Sequence, residues 1–229
     1  MRCVVITCTL LASLLGTAAQ AADATVSRTV QLEPSLPNDP VKIVKVMLDG
    51  VEVKPGVQGW PGDKPGMPVH ANDNWLNHIA ITLKNISTKG IVFCGVRVFS
   101  PDVGDGTPKH PILGSESVIG QRPQHARYSR ITGESLDDPS RNPILLEAGE
   151  EVTLPAISLG GFDEVKKTIE TRQPLARITT VRLGLTTVYF GDGTKWDSNV
   201  YYRPDLSSPG KYLVISRQEF DSYRPEASR

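Results

Sequence analysis

The densest concentration of chemistry-bearing side chains in this chain is Arg122-Pro123-Gln124-His125-Ala126-Arg127-Tyr128-Ser129-Arg130. Guanidinium forks match the planar geometry of carboxylate and phosphate groups. Arg122, Arg127 and Arg130 therefore suit an anionic ligand, with His125 able to change charge near neutral pH and Tyr128 offering a ring. Trp60, in a separate Pro/Gly-rich stretch, is a second aromatic surface on which a sugar could stack. These six residues form the candidate ligand-binding set, for an anion or a glycan. The competing reading is an ordinary solvated loop, its charge balanced by Glu134, Asp137 and Asp138.

Other chemistries find less support. The four histidines are His70, His78, His110 and His125, and none forms the close His or Cys pair of a zinc site. No metal or other cofactor is expected. Gly114-Ser115-Glu116-Ser117-Val118-Ile119-Gly120 lacks the G-x-S-x-G spacing of a nucleophile elbow. Asp102, Asp105 and Asp192 stand beside glycines but lack the repeated oxygen ligands of a calcium loop, so they read as turn aspartates. Cys94 alternates with Val92, Val96 and Val98, the position of a buried small hydrophobe rather than a reactive thiol. Trp75 and Trp196 fall in parity with apolar neighbours and read as core. Asn85-Ile86-Ser87 is a formal glycosylation sequon, relevant only in a eukaryotic secretory route. The balance leans away from an enzyme, and no catalytic residues are assigned.

The elements that must position these residues are mostly strands. Lys42, Val44, Val46 and Leu48 share one face of a strand ending near Asp49-Gly50. Trp75, Ile79, Ile81 and Leu83 alternate with polar residues in a second strand, running from Trp75 to Ile86, and Asn85 to Gly90 reads as its hairpin turn. Val92 to Val98 follows as the next strand. Glu150 to Leu159 is a further strand, and Pro155 implies an edge or a bulge there because proline cannot donate to the ladder. In Val181 to Phe190 the apolar parity switches between Leu185 and Val188, which predicts a bulge at Thr186-Thr187. Gly191-Asp192-Gly193 supplies a tight hairpin, and the return strand alternates Trp196, Ser198, Val200 and Tyr202. One helix is expected where Phe162, Val165 and Ile169 make a stripe behind Asp163 and Glu164. Two long loops, about 55–74 and 101–143, resist assignment.

The chain opens with an export signature. Met1-Arg2, the apolar run Val4 to Leu15 and Ala19-Gln20-Ala21 read as a signal peptide over residues 1–21. Residues 22–229 are then expected as a single domain, secreted or periplasmic, without a transmembrane segment after cleavage and with Cys94 as its one cysteine. Lys plus Arg and Asp plus Glu each number 25 over the whole chain, so no long-range field draws it to nucleic acid.

Three segments carry a family resemblance: Ile81-Thr82-Leu83-Lys84-Asn85-Ile86-Ser87 with the strand from Ile91, Leu146 to Leu154, and Val188 to Trp196. Together they resemble exported bacterial proteins of uncharacterised function with an immunoglobulin-like β-sandwich. The resemblance implies an all-β, immunoglobulin-like antiparallel sandwich with one short helix and long loops. It implies export and no catalytic residues. The function expected is a non-catalytic module that binds or supports at the cell envelope, its partner an envelope protein or a glycan. The alternatives are an enzyme or anion/glycan-binding protein using the 101–143 loop, and a self-associating structural subunit.

Overall fold

The computed structural model describes residues 26–57, 64, 66–101, 115–120, 144–157, 161–171, 173–208 and 210–225. The strands are β1 (Val26–Leu32), β2 (Val41–Leu48), β3 (Val51–Val53), β4 (Gly56–Val57), β5 (Val69–Ala71), β6 (Ile79–Asn85) and β7 (Ile91–Phe99). They continue with β8 (Ser115–Ile119), β9 (Glu151–Pro155), β10 (Thr180–Phe190), β11 (Lys195–Asp197), β12 (Val200–Pro204) and β13 (Tyr212–Ile215). Two α-helices accompany them, α1 (Phe162–Glu170) and α2 (Arg217–Ser222). Strands β3-β2-β6-β9 form a four-stranded sheet, and the other nine form a second sheet with β10 at its centre. Their inner faces share one apolar core, so the fold is an all-β sandwich.

Hydrophobic parity explains most of this arrangement, and bulges explain where simple parity fails. In β10, Leu185 pairs with Val96 and Val188 pairs with Cys94, with a register shift between them. The extra residue at Thr186-Thr187 lets Leu183 and Val188 both reach the core, as the parity switch predicts. Strand β2 uses the same device where a single parity is expected. A register shift between Ile43 and Lys45 leaves Val44 45% exposed, while Val41, Val46 and Leu48 are buried. Val44 is therefore not a core residue. Both apolar pairs of the strand are accommodated only if Val44 is turned out.

Three further expectations are corrected. Trp75–His78 is a 3-10 turn rather than strand, because Asn72 accepts the Asn74 and Trp75 amides and closes the backbone there. The strand begins at Ile79. Asn85 to Gly90 is no hairpin turn, for β6 and β7 lie in different sheets. The buried Asn85 side chain makes that crossing, accepting from the Ser87 amide and hydroxyl and donating to the carbonyls of Lys89 and Leu146. The sequon asparagine is thus fully engaged inside the fold. The return strand after Trp196 splits into β11 and β12 around Ser198 and Asn199, with φ of 49° and 68°. Positive φ at both central residues is the turn that a two-residue hairpin favours. The split changes the parity, so Tyr201 faces the core in place of Tyr202.

Helix α1 forms where its stripe predicts, burying Ile169 with Phe162 and Val165 packed beside it. Strand β9 is an outer strand of its sheet, consistent with Pro155. Strand β1 runs parallel to β10, pairing Thr29–Leu32 with Thr180–Leu183. Its alternation is obscured by Arg28, which is completely buried. That guanidinium donates to the carbonyls of Ala176 and Ile178, pairs with Asp73 at 2.7 Å and lies 5.7 Å from the Trp75 ring centre. No helix among the described residues is long and apolar enough to cross a membrane.

Candidate functional site

Arg122, His125, Arg127, Tyr128, Arg130 and Trp60, together with residues 1–21, where a signal peptide is expected, lie outside the described residues. Within them lies a cleft of about 660 Å³ where the β1–β2 connection passes between the sheets. Leu32, Ile43, Leu183 and Leu185 supply apolar wall, and Glu33, Lys42, Arg97 and Asp197 supply charge. A volume of this order suits a small organic ligand. The β2 bulge belongs to the same wall, since Ile43 and Val44 both line it.

Three of the cleft's charged groups, Glu33, Arg97 and Asp39, are already committed to partners. Arg97 Nη2 donates to both oxygens of Glu33, at 2.6 and 2.7 Å. Gly184 makes room for that pair, for a Cβ there would stand 1.8 Å from Glu33 Oε2. Asp39 is buried, and its Oδ2 accepts the Leu36 amide at 2.7 Å, closing a turn in the connection. Burial raises the Asp39 carboxyl above its ordinary value, partly opposed by the Leu36 and Ser35 hydrogen bonds and by Lys42. Trp196 lines the cleft with an indole Nε1 that has no hydrogen-bond partner. That nitrogen is itself buried, so a ligand in the cleft reaches it only if the ring moves.

A second polar cluster fastens α2 to the nine-stranded sheet. Lys89 Nζ pairs with Asp192, donates to the Tyr223 carbonyl at 3.2 Å, and sits 4.4 Å from the Phe220 ring centre. Burial lowers the Lys89 ammonium below its ordinary value, although Asp192 opposes the shift. A lysine in such a pocket resembles an activated amine, yet its protons are directed at structural partners. Arg217 donates to Tyr201 Oη at 2.7 Å and pairs with Asp221 at 3.1 Å. Burial pushes the Tyr201 hydroxyl up to about 12. Asp192 also accepts the Thr194 amide and hydroxyl, so the hairpin aspartate is a turn residue as its glycine neighbours suggest.

Chemistry beyond binding finds little footing. His78 is exposed and pairs with Asp49 across 2.5 Å, with no hydroxyl joined to it. His70 is exposed too, and among the described residues no group of three His, Cys, Asp or Glu side chains could hold a metal ion. Cys94 is fully buried, as its parity predicts. Trp75 and Trp196 are core residues.

Among known proteins, the chain matches no family model, no curated sequence and no solved structure. Any function must be argued from this geometry alone. The cleft was missed by sequence reasoning because its residues come from five separate strands and a connection. The only local signals were the two apolar parities in Val41 to Leu48 and the glycine at position 184.

Proposed function

We propose that this chain is an exported, non-catalytic binding module with an immunoglobulin-like sandwich, acting at the cell envelope. The strand arrangement supports the fold. Strands β2, β6 and β9 occupy one sheet and β8, β7, β10 and β11 lie side by side in the other, with β6 crossing to β7. Immunoglobulin-like sandwiches divide their early and middle strands between two sheets in this way. The observation that carries the function is the state of the cleft. Glu33 and Arg97 neutralise one another, and Asp39 is turned into its own connection. No described side chain is placed there as an acid and base for turnover, while the apolar wall and charged rim suit recognition.

The test combines binding with turnover. The protein purified from the envelope fraction or medium is screened against envelope glycans, anionic peptides and ester or glycoside substrates. The expected result is reversible binding of one class, weakened by Ile43→Lys in the wall, with every substrate recovered intact. Turnover abolished by Asp39→Asn would make the protein an enzyme and overturn the reading. Recovery of the chain solely from the cytoplasm with residues 1–21 attached would overturn export.

A further inference from the structure

We propose that the cleft selects a small aliphatic amine in its ammonium form, seating the cationic end at Asp39 and the alkyl body on the apolar wall. This rests on the binding role above and adds the chemical class of the ligand. The aliphatic part follows from the wall. Leu32, Ile43 and Leu183 line the cleft, and Leu36 and Val44, each 45% exposed, carry apolar surface out to its rim. An alkyl chain laid there removes both surfaces from water.

The sign of the charge follows from depth. In the Glu33–Arg97 pair, the carboxylate side chain is 24% exposed and the guanidinium side chain 52%. Asp39 is 7% exposed, whereas Lys42, the other cation of the lining, is an exposed residue. Lys42 stands opposite Lys84 in the β2–β6 ladder, and directly opposed residues share a face of the sheet. Lys84 pairs with Glu151 at 3.0 Å on the solvent side, so Lys42 leaves the sheet on that side as well. In both cases the acid is the deeper group. Charges act more strongly where protein excludes water than at a rim where solvent and salt screen them. The interior of the cleft therefore favours a cation.

Asp39 is the group placed to receive it. Buried charges are ordinarily paired. The Asp39 carboxylate accepts from the Leu36 amide at 2.7 Å and from the Ser35 side chain, with no ion pair to a cation among the described residues. A ligand ammonium supplies that pairing through a charge-assisted hydrogen bond. Asp197 adds a second carboxylate to the lining, where it accepts from the Ser198 hydroxyl at 2.8 Å. A bare metal ion fits less well, since no three His, Cys, Asp or Glu side chains among the described residues gather to hold one. A carboxylate or phosphate ligand would meet like charge at Asp39 and Asp197.

The experiment is isothermal titration calorimetry of the purified protein at neutral pH with hexylamine, hexanol and hexanoate, probes of equal chain length. Hexylamine, protonated at that pH, is expected to bind on the order of 10-fold more tightly than hexanol, with hexanoate weakest. This order is read on the wild type and is free of any folding defect. Asp39→Asn keeps a side-chain oxygen for the Leu36 amide while removing the charge. It should bring hexylamine down to the affinity of hexanol and leave hexanol unchanged. Lys42→Gln should preserve the order of the probes. Hexanoate binding as tightly as hexylamine, or hexylamine indifferent to Asp39→Asn, would overturn the selection of a cation. Hexanol binding that Ile43→Lys abolishes would show that the cleft's binding role survives such a result. No binding by any of the probes would overturn both.

Discussion

Lys89 and Asp39 are both buried ionisable groups, but the sandwich treats them differently. Lys89, 8% exposed, meets an opposite charge in Asp192 and the faces of Phe220 and Tyr223. Asp39 answers mainly to a backbone amide in its own connection, with no ion pair to a cation among the described residues. The first cluster joins three distant parts of the chain, the β6–β7 crossing, the β10–β11 turn and α2. The second organises one connection beside an open cleft. A buried pair that ties remote elements together concentrates stability, whereas a lightly supported charge at a cleft leaves the surface free to accommodate a ligand.

Substitutions can break that contrast. The largest effect is expected for Phe220→Ala, which removes a fully buried ring stacked 4.2 Å from Tyr201 and covering Lys89. Urea denaturation should show a loss of about 4 kcal/mol. Asp192→Ala leaves Lys89 buried without its carboxylate and should cost about 3 kcal/mol in the same measurement. If either variant unfolds at the wild-type midpoint, the α2 cluster does not concentrate stability and the contrast fails.

At the cleft the expected losses are smaller and the binding effects larger. Gly184→Ala forces Glu33 off Arg97 and should cost about 1 kcal/mol while altering whatever the cleft binds, as read by calorimetry. The smallest effect belongs to Asp39→Asn, and it depends on pH. The folded carboxyl titrates above the ordinary 3.8 because burial disfavours its charge. The stability it contributes is full below 3.8 and is lost as pH rises through the higher folded value. Thermal melts should therefore show wild type losing ground to Asp39→Asn as pH increases across that interval. A difference independent of pH would show that Asp39 does not titrate differently in the fold.

Much of the sandwich was legible because parity is a direct consequence of strand geometry. The β10 bulge could be located to Thr186-Thr187 since each parity there has long apolar members. The β2 bulge carried the same signal in Val41 and Ile43, but Val44 continued the parity of Val46 and Leu48 and concealed it. The Ser198-Asn199 turn was hidden because it reaches positive φ without glycine. Helix α2 was not expected: the capping box of Ser216 and Glu219 is a local signal for it, yet its six residues gave no apolar period to read. Nothing local to Arg28 in β1 marks it as buried; the carbonyls of Ala176 and Ile178, far along the chain, draw it inward. The cleft is tertiary throughout. No local pattern encodes the approach of Glu33 to Gly184.

The parallel pairing of β1 with β10 also sets a timetable. Thr29 to Leu32 wait for Thr180 to Leu183, so a chain made amino-end first holds β1 against only the short β4 and β5 until the β10 residues emerge. Contacts this remote in sequence make for slow folding, on the scale of milliseconds to seconds for β-rich domains. Until β10 arrives, Val30 and Leu32 have no ladder on that side, and the nine-stranded sheet lacks its central strand.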